Sequence, residues 1–427
     1  MGQHELFTKR LAIILSTFSF FLLMAGLFYL AVSFKMKIDF SSFYSSICAL
    51  NLNLSPYMAR PLDFLNTSVT GAVNLNTPFF VLLFSPLQKI NYEYALIIWQ
   101  LGSFFSLIIS ARLILKRYEL YDARYLLCFM FSFPVIMNAF IGQIGAYVFV
   151  CVTLGHHYFK NNKSIIAGIL WGGITGIKLF TGLLLIYALI KKDYKAVLSF
   201  SITLFITLLI PYYIFGIDIY LGYFNALKSI NWYEHAWNGS LLGFILRSKM
   251  LLFLTSDPQC IRYLSLGMLA AFSSSYVYLM FVKKEKWQHQ AFNLTLIYML
   301  LLNPLGWFYY FLLLLHPLAT LASTERNFSF LKKIIFLIFF ILLAFPRHSD
   351  AVKVATLMPI RLSIGSQYFY ALILGLGLML WQDTKKSLVM KYESFYAFLK
   401  VIVIFIIYAA TFYFTVNNLS KLLTVST

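Results

Sequence analysis

The chain has 427 residues, of which 61% are hydrophobic, 19% aromatic and only 11% charged, with a mean hydropathy of +0.79. Soluble domains carry roughly a quarter charged residues, so a water-soluble globule is excluded, as are disorder, collagen and a disulfide scaffold. The net charge of +19 comes from 34 Lys+Arg against 15 Asp+Glu; it sits in short clusters between apolar runs, which fits the positive-inside rule and not nucleic-acid binding.

Lys9 and Arg10 precede about 24 mostly apolar residues, 11–34, long enough to span and longer than the core of a cleavable signal. The sequence therefore predicts an uncleaved anchor with its basic flank in the cytoplasm. A polar loop follows over 35–76, holding Asp39, Arg60 and Asp63. Thr77-Pro78 opens a short apolar stretch, 78–90, expected to be partial or re-entrant, and a full crossing runs to Leu115. Treating 78–115 as one crossing keeps the later basic clusters on one side: Lys116, Arg117 and Arg124; Lys160 and Lys163; Lys191, Lys192 and Lys195; Lys283, Lys284 and Lys286; Arg326, Lys332 and Lys333; Lys385, Lys386 and Lys391. The opposite ends fall at Gly142-Gln143, at Lys178, in 216–261, at Asn303–Trp307 and in 347–366.

Backbone groups in lipid must be satisfied within the segment, so these runs are helices. The expected fold is all-α: a polytopic membrane protein of about 11–13 transmembrane or re-entrant helices with a substantial first external loop. Four crossings, 126–141, 144–159, 165–178 and 179–190, are shorter than the ~20 residues of a straight span and point to helices that meet around a cavity. The chain reads as one integral-membrane domain, 1–427, without an internal repeat.

Four cysteines, Cys48, Cys128, Cys151 and Cys260, show no metal spacing. Cys48 and Cys260 fall in loops read as external, where a disulfide can form. The histidines are scattered and no HExxH, GxSxG, GxGxxG or Walker pattern occurs.

Asp39 stands just past the first span; the bland reading is a helix N-terminal acid stabilised by the dipole. Lys178 follows Gly172-Gly-Ile-Thr-Gly-Ile; it reads either as an interfacial snorkelling lysine or as the partner of an anion such as phosphate, and the glycines allow close helix approach. Gly142-Gln143 breaks two apolar helices. Asn238-Gly-Ser240 and Arg247 follow an aromatic stretch with Trp232, Tyr233 and Trp237, and Asn303-Pro-Leu-Gly-Trp307 breaks another helix pair.

The order of these pieces resembles glycosyltransferase family 87, within the GT-C superfamily of integral-membrane transferases. The resemblance runs over 35–322, with 323–427 as additional C-terminal helices. It is carried by Asp39-Phe-Ser-Ser-Phe-Tyr44, Ser55-Pro-Tyr57, Asn76-Thr-Pro with a later Pro86, Gly142-Gln143, Gly176-Ile-Lys178, Asn238-Gly-Ser-Leu-Leu-Gly243 and Asn303-Pro-Leu-Gly-Trp307. The chain departs from the family pattern at Thr77-Pro78, where the family usually has Pro-Pro, at Lys178-Leu179, where it has Lys-Pro, and at Tyr309, where it often has histidine.

The resemblance implies transfer of a hexose, typically mannose, from a polyprenyl-phosphate-sugar donor to a lipid-linked or glycan acceptor, at the external face of the cell (cytoplasmic) membrane. An inverting displacement needs one carboxylate base and a cationic clamp on the departing phosphate. Asp39 is the expected base, Lys178 and Arg247 the expected phosphate partners, and Tyr44, Gln143, Asn238, Trp307 and Tyr309 the expected sugar or acceptor contacts. The expected partners are the donor, the acceptor and membrane lipid; no metal and no cofactor are expected. A lipid-linked-sugar flippase, and a lipid-linked-glycan polymerase or ligase using Arg347, His348, Lys353 and Arg361, are the competing readings.

Overall fold

A computed structural model describes residues 25–29, 31–33, 38–65, 70–120, 130, 132–248, 258–282, 284–346 and 365–381. Most of the expected first span with Lys9 and Arg10, the basic positions Arg124, Lys283, Lys385, Lys386 and Lys391, Cys128, and the Arg347–Arg361 segment lie outside the described residues.

Among the described residues the architecture is helical throughout, with two isolated bridges, Pro61 to Thr70 and Asn238 to Trp307, as its extended pairing. In chain order the α-helices of seven residues or more among the described residues are α1 (Ile38–Asn51), α2 (Pro78–Phe84), α3 (Tyr92–Arg117), α4 (Phe133–Ile141), α5 (Gly145–Lys160), α6 (Ser164–Ile177), α7 (Leu183–Ile190), α8 (Tyr194–Phe215), α9 (Asp218–Lys228), α10 (Leu241–Ser248), α11 (Pro258–Val277), α12 (Ala291–Leu302), α13 (Leu315–Thr324), α14 (Phe330–Ala344) and α15 (Gln367–Leu380). Three helical stretches, Tyr92–Arg117, Tyr194–Phe215 and Gln259–Val282, are long and apolar enough to cross a bilayer. A fourth arises if α4 and α5, bent by 120° at their junction, count as one. Five more segments, Ser164–Ile177, Leu179–Ile190, Ala291–Leu302, Phe308–Thr324 and Gln367–Leu380, are shorter apolar helices. The chain is an all-α polytopic membrane protein.

The polar loop expected over 35–76 is helical in its first part. α1 buries Phe40, Phe43, Tyr44 and Ile47 on one face, the i, i+3, i+4, i+7 spacing of an amphipathic helix. The serines between them masked that face in the sequence. Ser41 pairs with the Tyr92 hydroxyl at 2.8 Å, and Ser46 donates back to the Ser42 carbonyl at 2.8 Å. Phe40 and Phe43 pack against Trp99 of α3, with ring centroids 5.4 and 5.8 Å apart. Phe80 and Phe84 of α2 close the same aromatic cluster. Cys48 and Cys260 are free thiols, so the disulfide considered for them does not form; Cys48 sits on α1, not in a loop.

α6 and α8 pack along their length. Gly168, Gly172 and Gly176 form a stripe at four-residue spacing, and each faces α8 so closely that a Cβ would strike Ser199, Phe200 or Thr207. Lipid supplies no hydrophobic force between helices, so backbone approach at small residues carries much of their association. The stripe ends beside Lys178, the residue at which α6 stops.

Candidate active site

Asp39 lies in the first turn of α1, where the positive end of the helix favours a carboxylate. Gln143 Nε2 donates to Asp39 Oδ2 at 3.0 Å. The other end of the same amide, Oε1, accepts the Ile144 N–H at 2.8 Å, and this sets which way the amide points. Gly142 ends α4 in the left-handed region, with φ 69°. A Cβ there would lie 2.5 Å from the Phe40 Cβ, so glycine is required on both counts. The Gly142–Gln143 turn is thereby docked on the first turn of α1, and Gln143 is delivered to Asp39.

Lys178 is the residue at which α6 ends. Its backbone is extended, with φ −132° and ψ 96°, and a 3₁₀ turn, Leu179–Gly182, follows. Its side chain lines a cavity of about 520 Å³ whose wall is mostly apolar, with Leu75, Phe180, Leu183, Leu227 and Met299, and with Trp307 and Tyr310 as its aromatic face. Lys178 Nζ lies 5.7 Å from the centre of the Tyr310 ring, within cation–π range.

Asp39 and Lys178 both stand at helix ends and feel each other's charge. Burial raises the Asp39 carboxyl from its ordinary value to about 7, against the opposing pull of Lys178 and of the Gln143 hydrogen bond. Burial lowers the Lys178 ammonium to about 8, against Asp39. Near neutral pH the pair thus holds a carboxylate ready to take a proton and a cation ready to face an anion. Asp39 does not itself line the cavity wall; Lys178 and Tyr310, which lie within reach of its charge, do.

Apart from Trp307 on the cavity wall and Tyr309 within reach of the Asp39 charge, the other candidate residues are engaged elsewhere. Arg247 reaches the carbonyls of His235 and Asn238, both at 2.9 Å, and the Ser366 hydroxyl at 3.0 Å. It ties the 233–238 loop to the start of α15. Asn238 donates to the Tyr233 and Pro304 carbonyls at 2.9 and 2.8 Å and accepts from the Ser240 N–H at 3.1 Å. It staples that loop to the α12 terminus. Tyr44 donates to the Ile90 carbonyl at 2.7 Å and is buried among Phe40, Phe64 and Tyr92. Trp307 lines the cavity. Tyr309 is buried against Phe308 and Trp307, and its carbonyl receives Asn138 Nδ2 at 3.4 Å.

A family model described as glycosyltransferase family 87 matches residues 74–304, more than half of the chain and inclusive of Gln143, Lys178, Asn238 and Arg247. The chain belongs to glycosyltransferase family 87. It is accordingly a membrane glycosyltransferase. No curated protein and no solved structure matches it.

Within this family 87 chain, sequence reasoning missed Tyr310 and the threonines around Lys178. Tyr310 had a signal: Trp307 and Tyr310 are three residues apart at a 3₁₀ helix, where i and i+3 eclipse, so they share the side that Tyr309 leaves. Thr77 gave none, because its partner is the Gly176 carbonyl, brought near only by folding; Thr175 and Thr181 pair their hydroxyls at 2.8 Å, and Thr181 also donates to the nearby Lys178 carbonyl.

Proposed function

We propose that this transferase moves a hexose, mannose by the resemblance, from a polyprenyl-phosphate-sugar donor to a hydroxyl of a lipid-linked or glycan acceptor on the external face of the cell membrane, with inversion. The observation that carries the reading is the coupling of Asp39, oriented by Gln143, to Lys178 on the wall of an apolar cavity. The acceptor oxygen attacks the anomeric carbon as the bond from that carbon to the phosphate oxygen breaks. Asp39 takes the hydroxyl proton, and polyprenyl phosphate departs with the bonding electron pair. Lys178 balances the charge growing on that phosphate, in a setting where little water competes for it.

A carboxyl with a pKa of about 7 suits a general base working near neutral pH. The apolar wall suits a prenyl chain, and Trp307 and Tyr310 offer flat faces to a sugar ring. Arg247 and Asn238 serve in this reading by holding the loop that backs Trp307, through the Asn238–Trp307 bridge and the Phe308 N–H bond to the Trp237 carbonyl at 3.0 Å. Tyr44 and Tyr309 support α1 and the aromatic wall.

The test is transfer of label from polyprenyl-phosphate mannose to endogenous acceptors in membranes carrying wild type or Asp39→Asn. The variant is expected to insert normally and to lose at least about 100-fold in rate, the lower range of a general base's contribution. Wild-type turnover in Asp39→Asn removes the base from the mechanism. Lipid extracts of a deletion strain are expected to contain a glycolipid shortened by one hexose.

A further inference from the structure

We propose that Thr77 is the positioning residue of Lys178: it caps the end of α6 and fixes the direction in which the lysine leaves the helix. The last carbonyls of a helix lack partners within it, and here they are supplied from outside. Thr77 Oγ1 donates to the Gly176 carbonyl, and the Thr77 N–H donates to the Ile177 carbonyl at 3.5 Å. The Lys178 carbonyl receives the Thr181 N–H at 3.1 Å and the Thr181 hydroxyl at 2.9 Å. Three successive carbonyls, ending at Lys178, are held by two buried threonines.

Thr77 is itself anchored. The Tyr57 hydroxyl donates to the Asn76 carbonyl at 3.1 Å. Asn74 Oδ1 accepts from the Asn76 N–H and side-chain amide at 2.9 and 2.8 Å. Pro78 then starts α2 with a fixed φ. The segment is a strap from Tyr57 to the end of α6.

A proline at position 77 could supply neither bond, having no N–H and no hydroxyl. A proline at position 179 would force residue 178 into extended backbone by steric clash alone. With Leu179 there, Lys178 is extended without that clash, and the threonine bonds hold it so. Two of the three positions at which the chain departs from the pattern it resembles, Thr77 and Leu179, therefore stand at the same helix end.

The inference rests on the reading of Lys178 as the phosphate partner, but its test does not need a substrate. The titratable groups facing Lys178 are Asp39 from α1, Tyr310 from the 3₁₀ helix, and Tyr223 and Tyr233 from the far wall of the cavity. The full-length protein in detergent is pulse-labelled with an amine-reactive reagent across pH, and modification of the Lys178 peptide is read by mass spectrometry. Wild-type Lys178 is expected to become reactive at a lower pH than surface lysines. Thr77→Val and Thr77→Pro free the lysine to reach water and are expected to raise the midpoint by about one pH unit or more, toward the ordinary lysine value of about 10.4. Thr77→Ser keeps the hydroxyl and is expected to restore the wild-type midpoint. Wild-type midpoints in Thr77→Val and Thr77→Pro overturn the proposal. Thr77→Ala, which removes the hydroxyl without adding bulk, decides the matter by the same measure if those two do not fold. The role of Lys178 in transfer is read separately, by donor turnover in Lys178→Met, so either claim can fail without the other.

Discussion

Gln143→Leu removes the donor that holds Asp39 and keeps the volume nearly constant. The bond is 3.0 Å long and ends on a carboxylate oxygen. Hydrogen bonds to charged groups contribute about 1.5–3 kcal/mol when buried; Asp39 is half-buried, so the lower end applies, and about 1.4 kcal/mol is one pKa unit. The bond favours the charged form, so its loss raises the carboxyl from about 7 to about 8. The base must be deprotonated to work. Activity therefore falls about eightfold at pH 6.5 and only about threefold at pH 7.5, by the two titration curves. The assay is donor-to-acceptor transfer in detergent-solubilised membranes across that range, with thermal unfolding of the variant as control, since the Ile144 N–H also loses its partner. A loss of equal size at every pH would falsify the assignment of Gln143 to the protonation of Asp39.

Transfer is expected to be bell-shaped in pH, because Asp39 must be deprotonated above about 7 and Lys178 protonated below about 8; a rate still rising at pH 9 rules out the lysine limb. Lys178→Met is expected to lower kcat/KM about 100-fold or more, the scale of one electrostatic stabiliser, and an unchanged value removes Lys178 from the transfer step. Gly172→Leu puts a Cβ 2.5 Å from the Phe200 carbonyl and is expected to cost about 1–3 kcal/mol as overpacking, seen as a lowered Tm in detergent. Gly173→Leu next to it, whose Cβ meets nothing closer than 4.0 Å, is the control and is expected to leave the Tm near wild type. Trp237→Cys, at an exposed position of the 233–238 loop, is expected to gain a site that reacts with an impermeant reagent from outside intact cells; labelling of that site only from the cytoplasmic side inverts the topology.

The helical class and most of the breaks were legible because lipid permits few alternatives and because Gly, Pro and polar residues punctuate the apolar runs. The turn at Gly142-Gln143 and the end of α6 at Lys178 both lie where the pattern put them. The start of α1 was legible in the reading of Asp39 as a helix N-terminal acid, but its buried face was not, since Ser41, Ser42, Ser45 and Ser46 dilute it, and Ser41 and Ser42 find their partners at Tyr92 and Ala72, far along the chain. The purpose of a polar side chain was harder still. Arg247 and Asn238 look like ligand contacts in the sequence, but their partners are carbonyls and a hydroxyl up to 119 residues away. A loop crossing over itself needs such partners as much as a sugar does, and one-dimensional spacing carries no sign of which it will be. Tyr309 and Tyr310 differ by one residue, and a 3₁₀ turn is tight enough for that step to send one side chain to the cavity and the other into the wall.

The two charges of the site sit where an apolar helical protein tolerates them best. Asp39 is at the N-terminal turn of α1 and Lys178 at the C-terminal end of α6, each at the end of the helix dipole that favours its sign. Mid-helix, either charge would face lipid or a neighbouring helix with no orphan backbone groups to meet it. At a break the unpaired backbone groups must be satisfied anyway, so the same turns that admit Gln143 and Thr77 also collect the charged pair. The dipoles offset only part of the burial, which is why the carboxyl stays near 7 and not near its ordinary value. That residue of imbalance is useful: a carboxylate stabilised fully by a direct ion pair would be a weaker base, and one left wholly without partners would stay protonated at neutral pH. Gln143 and Lys178 together hold Asp39 between those limits.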